Sequence, residues 1–345
     1  MLIELLLCAA GLVVLSVAAD HLVQGSSRLA ARLRVNPVVV GIVVIGLGTS
    51  APEFLVSASA AARGDTGIAV GNIVGSNILN LTLILGVAAM ISGVRVQASV
   101  VAREARLAVA AVAVFAVFAW TGLNPLTGTA LALVLIAAMT TLIRWAVSGR
   151  SPALAVEVNE FTGIDPTDPP FSDCDTESAD HASGGFYAGS DVSAPAHRIG
   201  LEAVRALLGL GGVLLGAQVL VVNASTIATR FVVPPVVIGL TLVALGTSLP
   251  ELVTTVQAQR RGESDLVVGN LFGSNLFNSL GGGAVIGLAT GSDHPAKASA
   301  VFAVVMVITA VLAWVLLRRD LRLTRGEGLI LLAAYLLTLP LLLSS

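Results

Sequence analysis

The chain has 345 residues, 56% of them hydrophobic and 12% charged, with a formal net charge of −2 and a mean hydropathy of +0.92. A soluble globular protein carries roughly 25% charged residues, so that class is excluded, and the long uniformly apolar runs exclude a β-barrel of short alternating segments. Two cysteines, Cys8 and Cys174, leave no disulfide framework or thiolate metal centre, and no basic cluster with interleaved aromatics suggests nucleic acid.

Apolar runs long enough to cross a hydrocarbon core of roughly 30 Å predict ten spans. They lie at 2–24, 37–62, 66–91, 104–121, 125–146, 199–222, 235–259, 265–290, 297–317 and 327–343. The expected fold is therefore all-α and polytopic. The first run, Leu2 to Ala19, lacks the positive n-region of a signal peptide and is expected to stay as the first helix, with Asp20 and His21 at its interfacial end.

In the second span, PVVVGIVVIGLGTSAPEFLVSASAAA, Glu53 is the only ionisable residue. The third carries GNIVGSNILN, Gly71 to Asn80. Between the fifth and sixth spans, residues 147–198 are rich in Ser, Asp, Pro and Gly. They read as a solvated acidic loop. Its carboxylates, among them Asp165, Asp168, Asp173 and Asp175, lack the glycine and terminal glutamate of an EF-hand. A tether is the better reading of this segment than a regulatory calcium site.

The seventh span repeats the second. At a constant offset of 198, Pro37–Asn80 and Pro235–Asn278 agree at 20 of 44 positions, including Leu-Gly-Thr-Ser-x-Pro-Glu and Gly-Asn-x-x-Gly-Ser-Asn-x-x-Asn. The chain divides into a first five-helix repeat (1–146, motif at 37–91), the loop (147–198) and a second repeat (199–345, motif at 235–290). Five is odd, so the second repeat enters the membrane inverted, an arrangement that secondary transporters use to build a site at the bilayer midplane. With the N-terminus outside, 16 of the 19 basic residues face the cytoplasm, as does the loop. The expected location is the plasma (inner) membrane.

Pro52 and Pro250 lack an N–H and break their helices, freeing carbonyls that lipid cannot satisfy. Thr49, Ser50 and Glu53, with their counterparts Thr247, Ser248 and Glu251, add hydroxyls and carboxylates. Ser76, Asn80, Ser274 and Asn278 add neutral oxygens. Oxygen-only donors of this kind suit hard cations such as calcium, and the absence of His and Cys from both motifs argues against zinc or copper. A lone intramembrane glutamate has a structural reading, hydrogen-bonded to a neighbouring helix. Two in repeated motifs, with no intramembrane Lys or Arg, favour a functional one. The Gly-xxx-Gly faces need only packing to explain them. No Ser/His pair or Asp dyad lies at membrane depth, so the chain is not expected to be an enzyme, and no cofactor is expected.

On these residues the chain resembles the cation/calcium exchanger superfamily, in its sodium/calcium exchanger branch: GTSAPE and GTSLPE, each followed by GN..GSN..N, look like the two alpha-repeats of that family. The resemblance implies an antiporter exchanging calcium for sodium. Its calcium site would be formed by Glu53 and Glu251 with backbone oxygens of Thr49 and Thr247. Its sodium sites would draw on Ser50, Ser248, Ser76, Ser274 and Asn80, plus the carbonyls of Gly46 and Ala244. It also implies that the first and sixth helices slide across the core. Many relatives carry aspartate where this chain has Asn278, which leaves stoichiometry open. A proton-coupled calcium exchanger on the same scaffold and a cation channel stand as alternatives.

Overall fold

The computed structural model describes residues 2–33, 35, 37–148, 197–230, 244–291 and 295–344. Nearly all of the acidic loop and the first half of the expected seventh span, 235–243, lie outside the described residues. The described helices are α1 (Leu2–Leu33), α2 (37–62, broken at Ser50), α3 (Thr66–Ser92), α4 (98–121), α5 (Pro125–Ser148), α6 (His197–Arg230), α7 (244–260, interrupted at Ser248), α8 (264–289), α9 (Ala300–Asp320) and α10 (Arg325–Ser344). Among the described residues, five helices are long and apolar enough to cross a bilayer on their own, and the bent pair in α2 is a sixth candidate. This is an integral membrane protein built of helices.

Two boundaries differ from expectation. α1 has 32 residues and α6 has 34, where hydropathy suggested 2–24 and 199–222. At 1.5 Å per residue they measure about 48 and 51 Å, well beyond the hydrocarbon core. Hydropathy registers only the lipid-facing part. The polar continuation of α1 stays helical because Leu22, Val23, Leu29 and Ala30 are buried.

These two helices pack antiparallel along their length. A Cβ at Gly11 would meet the backbone of Gly216 and Leu220, one at Gly209 that of Leu22 and Ala18, and one at Gly25 that of Ala206 and Glu202. The small residues let the backbones touch.

α8 forms the centre. Every residue from Leu266 to Ala284 is buried, as expected of a helix covered on all sides. The first half of α2 lies directly on it: a Cβ at Gly269 would stand 2.5 Å from the Val38 carbonyl oxygen, and one at Gly273 would stand 2.7 Å from Ile42 Cα. At the periphery, β1 (Val94–Arg95) pairs antiparallel with β2 (Arg322–Leu323). Across the membrane, Leu123 and Ala296 exchange backbone hydrogen bonds of 2.7 and 2.9 Å. Each link ties a connection of the first repeat to one of the second, on opposite faces.

Candidate ion site at the meeting of the repeats

The helix break that proline predicts is present. The helical stretch Pro37–Thr49 ends at Ser50, a new helix runs Ala51–Ala62 with Pro52 in its first turn, and the two directions differ by 42°. In the second repeat Ala244–Thr247 stops at Ser248, and Leu249–Arg260 starts with Pro250 in its first turn. Each break places a glutamate in the first turn of the following helix, where free N–H groups favour negative charge.

Both glutamates are fully buried. Their serine contacts cross from one repeat to the other and are reciprocal. Ser248 Oγ donates to Glu53 Oε1 at 3.1 Å, and Ser50 Oγ donates to Glu251 Oε1 at 3.4 Å. Within each repeat, Ser76 Oγ approaches Glu53 Oε1 at 3.5 Å and Ser274 Oγ approaches Glu251 Oε1 at 3.4 Å. Residue i meeting j′ while i′ meets j is the signature of a two-fold axis, so the halves face each other across the site.

Second-line polar groups hold the cage. Asn72 Nδ2 donates to the Glu53 carbonyl at 3.2 Å, and Asn270 Nδ2 to the Glu251 carbonyl at 3.4 Å. The same amides reach Ser57 at 3.0 Å, and Thr254 and Thr255 at 3.1 and 3.0 Å. These two asparagines bracket the glutamate helices. Thr49 donates its hydroxyl to the Ile45 carbonyl at 2.9 Å, and Thr247 lies against Glu53. The Gly46 carbonyl accepts from Ser274 Oγ at 3.2 Å. Ala244 begins its short helix one turn before Ser248.

Asn80 and Asn278 occupy equivalent places, each opening a π-helical turn, Asn80–Ile84 and Asn278–Gly282. Such turns spare a backbone hydrogen bond and recur at functional sites. Asn80 Nδ2 donates to Asn275 Oδ1 at 3.1 Å. Asn278 is fully buried with neither amide atom hydrogen-bonded. The sequence reading placed neither Asn77 nor Asn275 in the site. Yet Asn275 Nδ2 donates to the Asn77 carbonyl at 2.9 Å and Asn77 Nδ2 to Ser279 at 2.9 Å, a belt joining α3 to α8. Their position inside the repeated GSN was the available signal.

The second carboxylate oxygens, Glu53 Oε2 and Glu251 Oε2, also have no hydrogen-bond partner, and neither does Asn80 Oδ1. Burying one unpaired carboxylate is very costly, and among the described residues no ion pair reaches either glutamate. No group of three or more His, Cys, Asp and Glu gathers among the described residues, so the donors here are two carboxylates plus neutral oxygens. The donor set is of the oxygen-only kind that suits a hard cation.

Inverted repeats meeting at broken helices around a buried carboxylate pair are an arrangement that membrane transporters use. The profile of the sodium/calcium exchanger protein family matches residues 3–145 and 202–343, and the chain belongs to that family. It is 28% identical over 349 positions to the inner membrane protein YrbG of Escherichia coli strain K12, covering 99% of this chain and 97% of YrbG. It is 29% identical to the sodium/calcium exchanger MaX1 of Methanosarcina acetivorans, covering 96% of each. Its fold matches a solved structure of the sodium-calcium exchanger NCX_Mj soaked with 10 mM Na+ and no Ca2+, with a TM-score of 0.79, 29% identity and 99% of each chain covered.

Proposed function

We propose that the chain is a secondary antiporter that exchanges calcium for sodium across the membrane by alternating access. The observation that carries this reading is the pair of buried glutamates, each with one oxygen held by a serine of the opposite repeat and one oxygen unpartnered. Glu53 and Glu251 bind calcium together, with Thr49 and Thr247 beside them. Sodium uses the same carboxylates with Ser50, Ser248, Ser76, Ser274, Asn80 and Asn278, and with the carbonyls of Gly46 and Ala244.

Competition enforces exchange. One calcium or two sodium ions neutralise the two carboxylates, whereas the empty site carries their charge and resists passing through a low-dielectric barrier. Calcium and sodium cannot occupy the shared oxygens together, so one must leave before the other crosses. The basic residues place the N-terminus outside and residues 147–198 in the cytoplasm. The two repeats, 1–146 and 199–345, act as the units that rearrange around the site.

The test is calcium uptake into sodium-loaded proteoliposomes, with and without an outward sodium gradient. Gradient-driven uptake is expected for the native chain and none for Glu53→Gln or Glu251→Gln, because a neutral amide cannot balance a divalent ion. Uptake that ignores sodium and follows a pH gradient would assign proton coupling instead. Flux without any counter-ion requirement would point to a channel.

A further inference from the structure

We propose that the outer seam between α1 and α6 is a binding groove for an anionic glycerophospholipid, with one acyl chain along the seam and the phosphate on Arg28 and Arg205. The groove has a volume of about 740 Å³ and is lined by residues of both helices, among them Val13, Val17, Leu201 and Leu208. That lies in the range of ligand sites, roughly 300–1,000 Å³. These four side chains are 54–73% exposed, so the groove opens sideways, towards lipid.

Depth and charge identify the occupant. Counting from Leu2, about 20 residues of α1 cover a 30 Å core. Val13 and Val17 therefore sit among acyl chains, while His21 and Arg28 lie at headgroup level on the face where basic residues gather. At that mouth Glu202, 6% exposed, is shared by Arg28 at 3.5 Å and Arg32 at 3.6 Å. Arg205 is held over the groove by Gln24 and His21, donating to Gln24 Oε1 at 2.5 Å and to His21 Nδ1 at 3.2 Å. The nearby Asp20 is occupied by Arg261. Three guanidiniums against one carboxylate leave an excess of about two positive charges. Arg28 keeps a side chain 55% exposed, and guanidinium is the group best shaped for phosphate. Basic pockets between membrane helices recognise anionic headgroups in this way. A zwitterionic choline headgroup would bring a second positive charge to a mouth that offers it no aromatic cage.

The experiment is native mass spectrometry of the purified full chain exposed to an equimolar mixture of dioleoylphosphatidylglycerol and dioleoylphosphatidylcholine. We expect at least a fivefold preference for phosphatidylglycerol, reduced by raised ionic strength. Arg28→Gln with Arg205→Gln should bring the ratio to parity. Arg28→Lys with Arg205→Lys should keep most of it, which separates lost charge from lost fold. Leu208→Trp, filling the groove, should lower retention of the bound lipid. No preference in the native chain would overturn the proposal, and so would a preference that survives the double Gln variant. The readout needs no ion flux, so its failure leaves the exchange reading untouched, and failure of exchange leaves this one untouched.

Discussion

The same ten-residue motif, Gly-Asn-x-x-Gly-Ser-Asn-x-x-Asn, meets different surroundings in the two repeats. In α8 they are buried completely, with Gly269 and Gly273 jammed against Val38 and Ile42 of α2. In α3, Gly71 and Gly75 are half-buried, and no described residue of another helix comes within 4 Å of where a Cβ would sit. The connecting turns differ in the same sense. On the α7–α8 turn, Arg261 grips Asp20 of α1 and Glu263 accepts from Ser27 at 2.6 Å. On the α2–α3 turn, Arg63 bonds to its own neighbours Ser59 and Asp65. The counterparts of Val38, Gly41 and Ile42 in the second repeat, residues 236, 239 and 240, lie outside the described residues, so the comparison of the two motifs is one of described neighbours.

The largest effects should come from the glycines. Gly269→Val and Gly273→Val place methyl groups within backbone atoms that cannot move aside, an overpacking worth more than about 3 kcal/mol, and both should fail to yield monodisperse protein in size-exclusion chromatography. Gly75→Val meets no such obstacle among the described residues. If the proposed antiporter trades packings between its repeats, this variant should purify normally yet lose most exchange in vesicles, at least tenfold. Wild-type flux in Gly75→Val would show that the two halves do not trade packings.

A smaller contrast separates Asn80 from Asn278. Asn80→Ala removes a donor from Asn275 and strands a buried acceptor, costing about 1–3 kcal/mol, so its melting temperature without ions should fall by several degrees. Asn278→Ala removes two amide atoms that have no partner in the fold, so that temperature should hold or rise. If both asparagines serve the ions, stabilisation by added calcium should shrink in both variants. An Asn278→Ala protein that loses intrinsic stability instead would mean the amide is bonded in the fold.

What could be read in advance follows from where the information lies. Glu53 and Glu251 were legible because an isolated charge in an apolar segment is anomalous within a single helix, and a constant offset of 198 shows it twice. The helix breaks followed from Pro52 and Pro250 for the same local reason. The full lengths of α1 and α6 were not legible, since residues 25–33 are helical through burial against protein and hydropathy measures affinity for lipid. Nor was the pairing of Ser248 with Glu53. Its spacing of 195 residues has no local trace, and only the docking of the inverted halves decides which serine reaches which carboxylate. The π-turns at Asn80 and Asn278 shift one backbone bond and leave no mark on composition.

The subtlest expected effect concerns the turn that clasps α1. Asp20 and Arg261 have side chains 34% and 36% exposed, and pairs so placed couple by roughly 0.2–1 kcal/mol. A double-mutant cycle with Asp20→Asn and Arg261→Gln, read by thermal unfolding in detergent at low salt, should return a coupling in that range and lose most of it at high ionic strength. The counterpart of Asp20 in the second repeat is Gln218, so this ion pair can form on one face of the membrane only. Asp20→Asn should therefore raise the reactivity of a cysteine placed at Ser76 towards reagents applied from the α7–α8 turn side, by a factor of about 1.4–5 for a coupling of this size, and should leave labelling from the opposite side unchanged. An equal rise on both sides would mean the contact merely stiffens the protein. A one-sided rise would mean that a weak exposed ion pair biases which way the shared site opens, because an equilibrium between two nearly equal packings responds to fractions of a kilocalorie that a folded core would ignore.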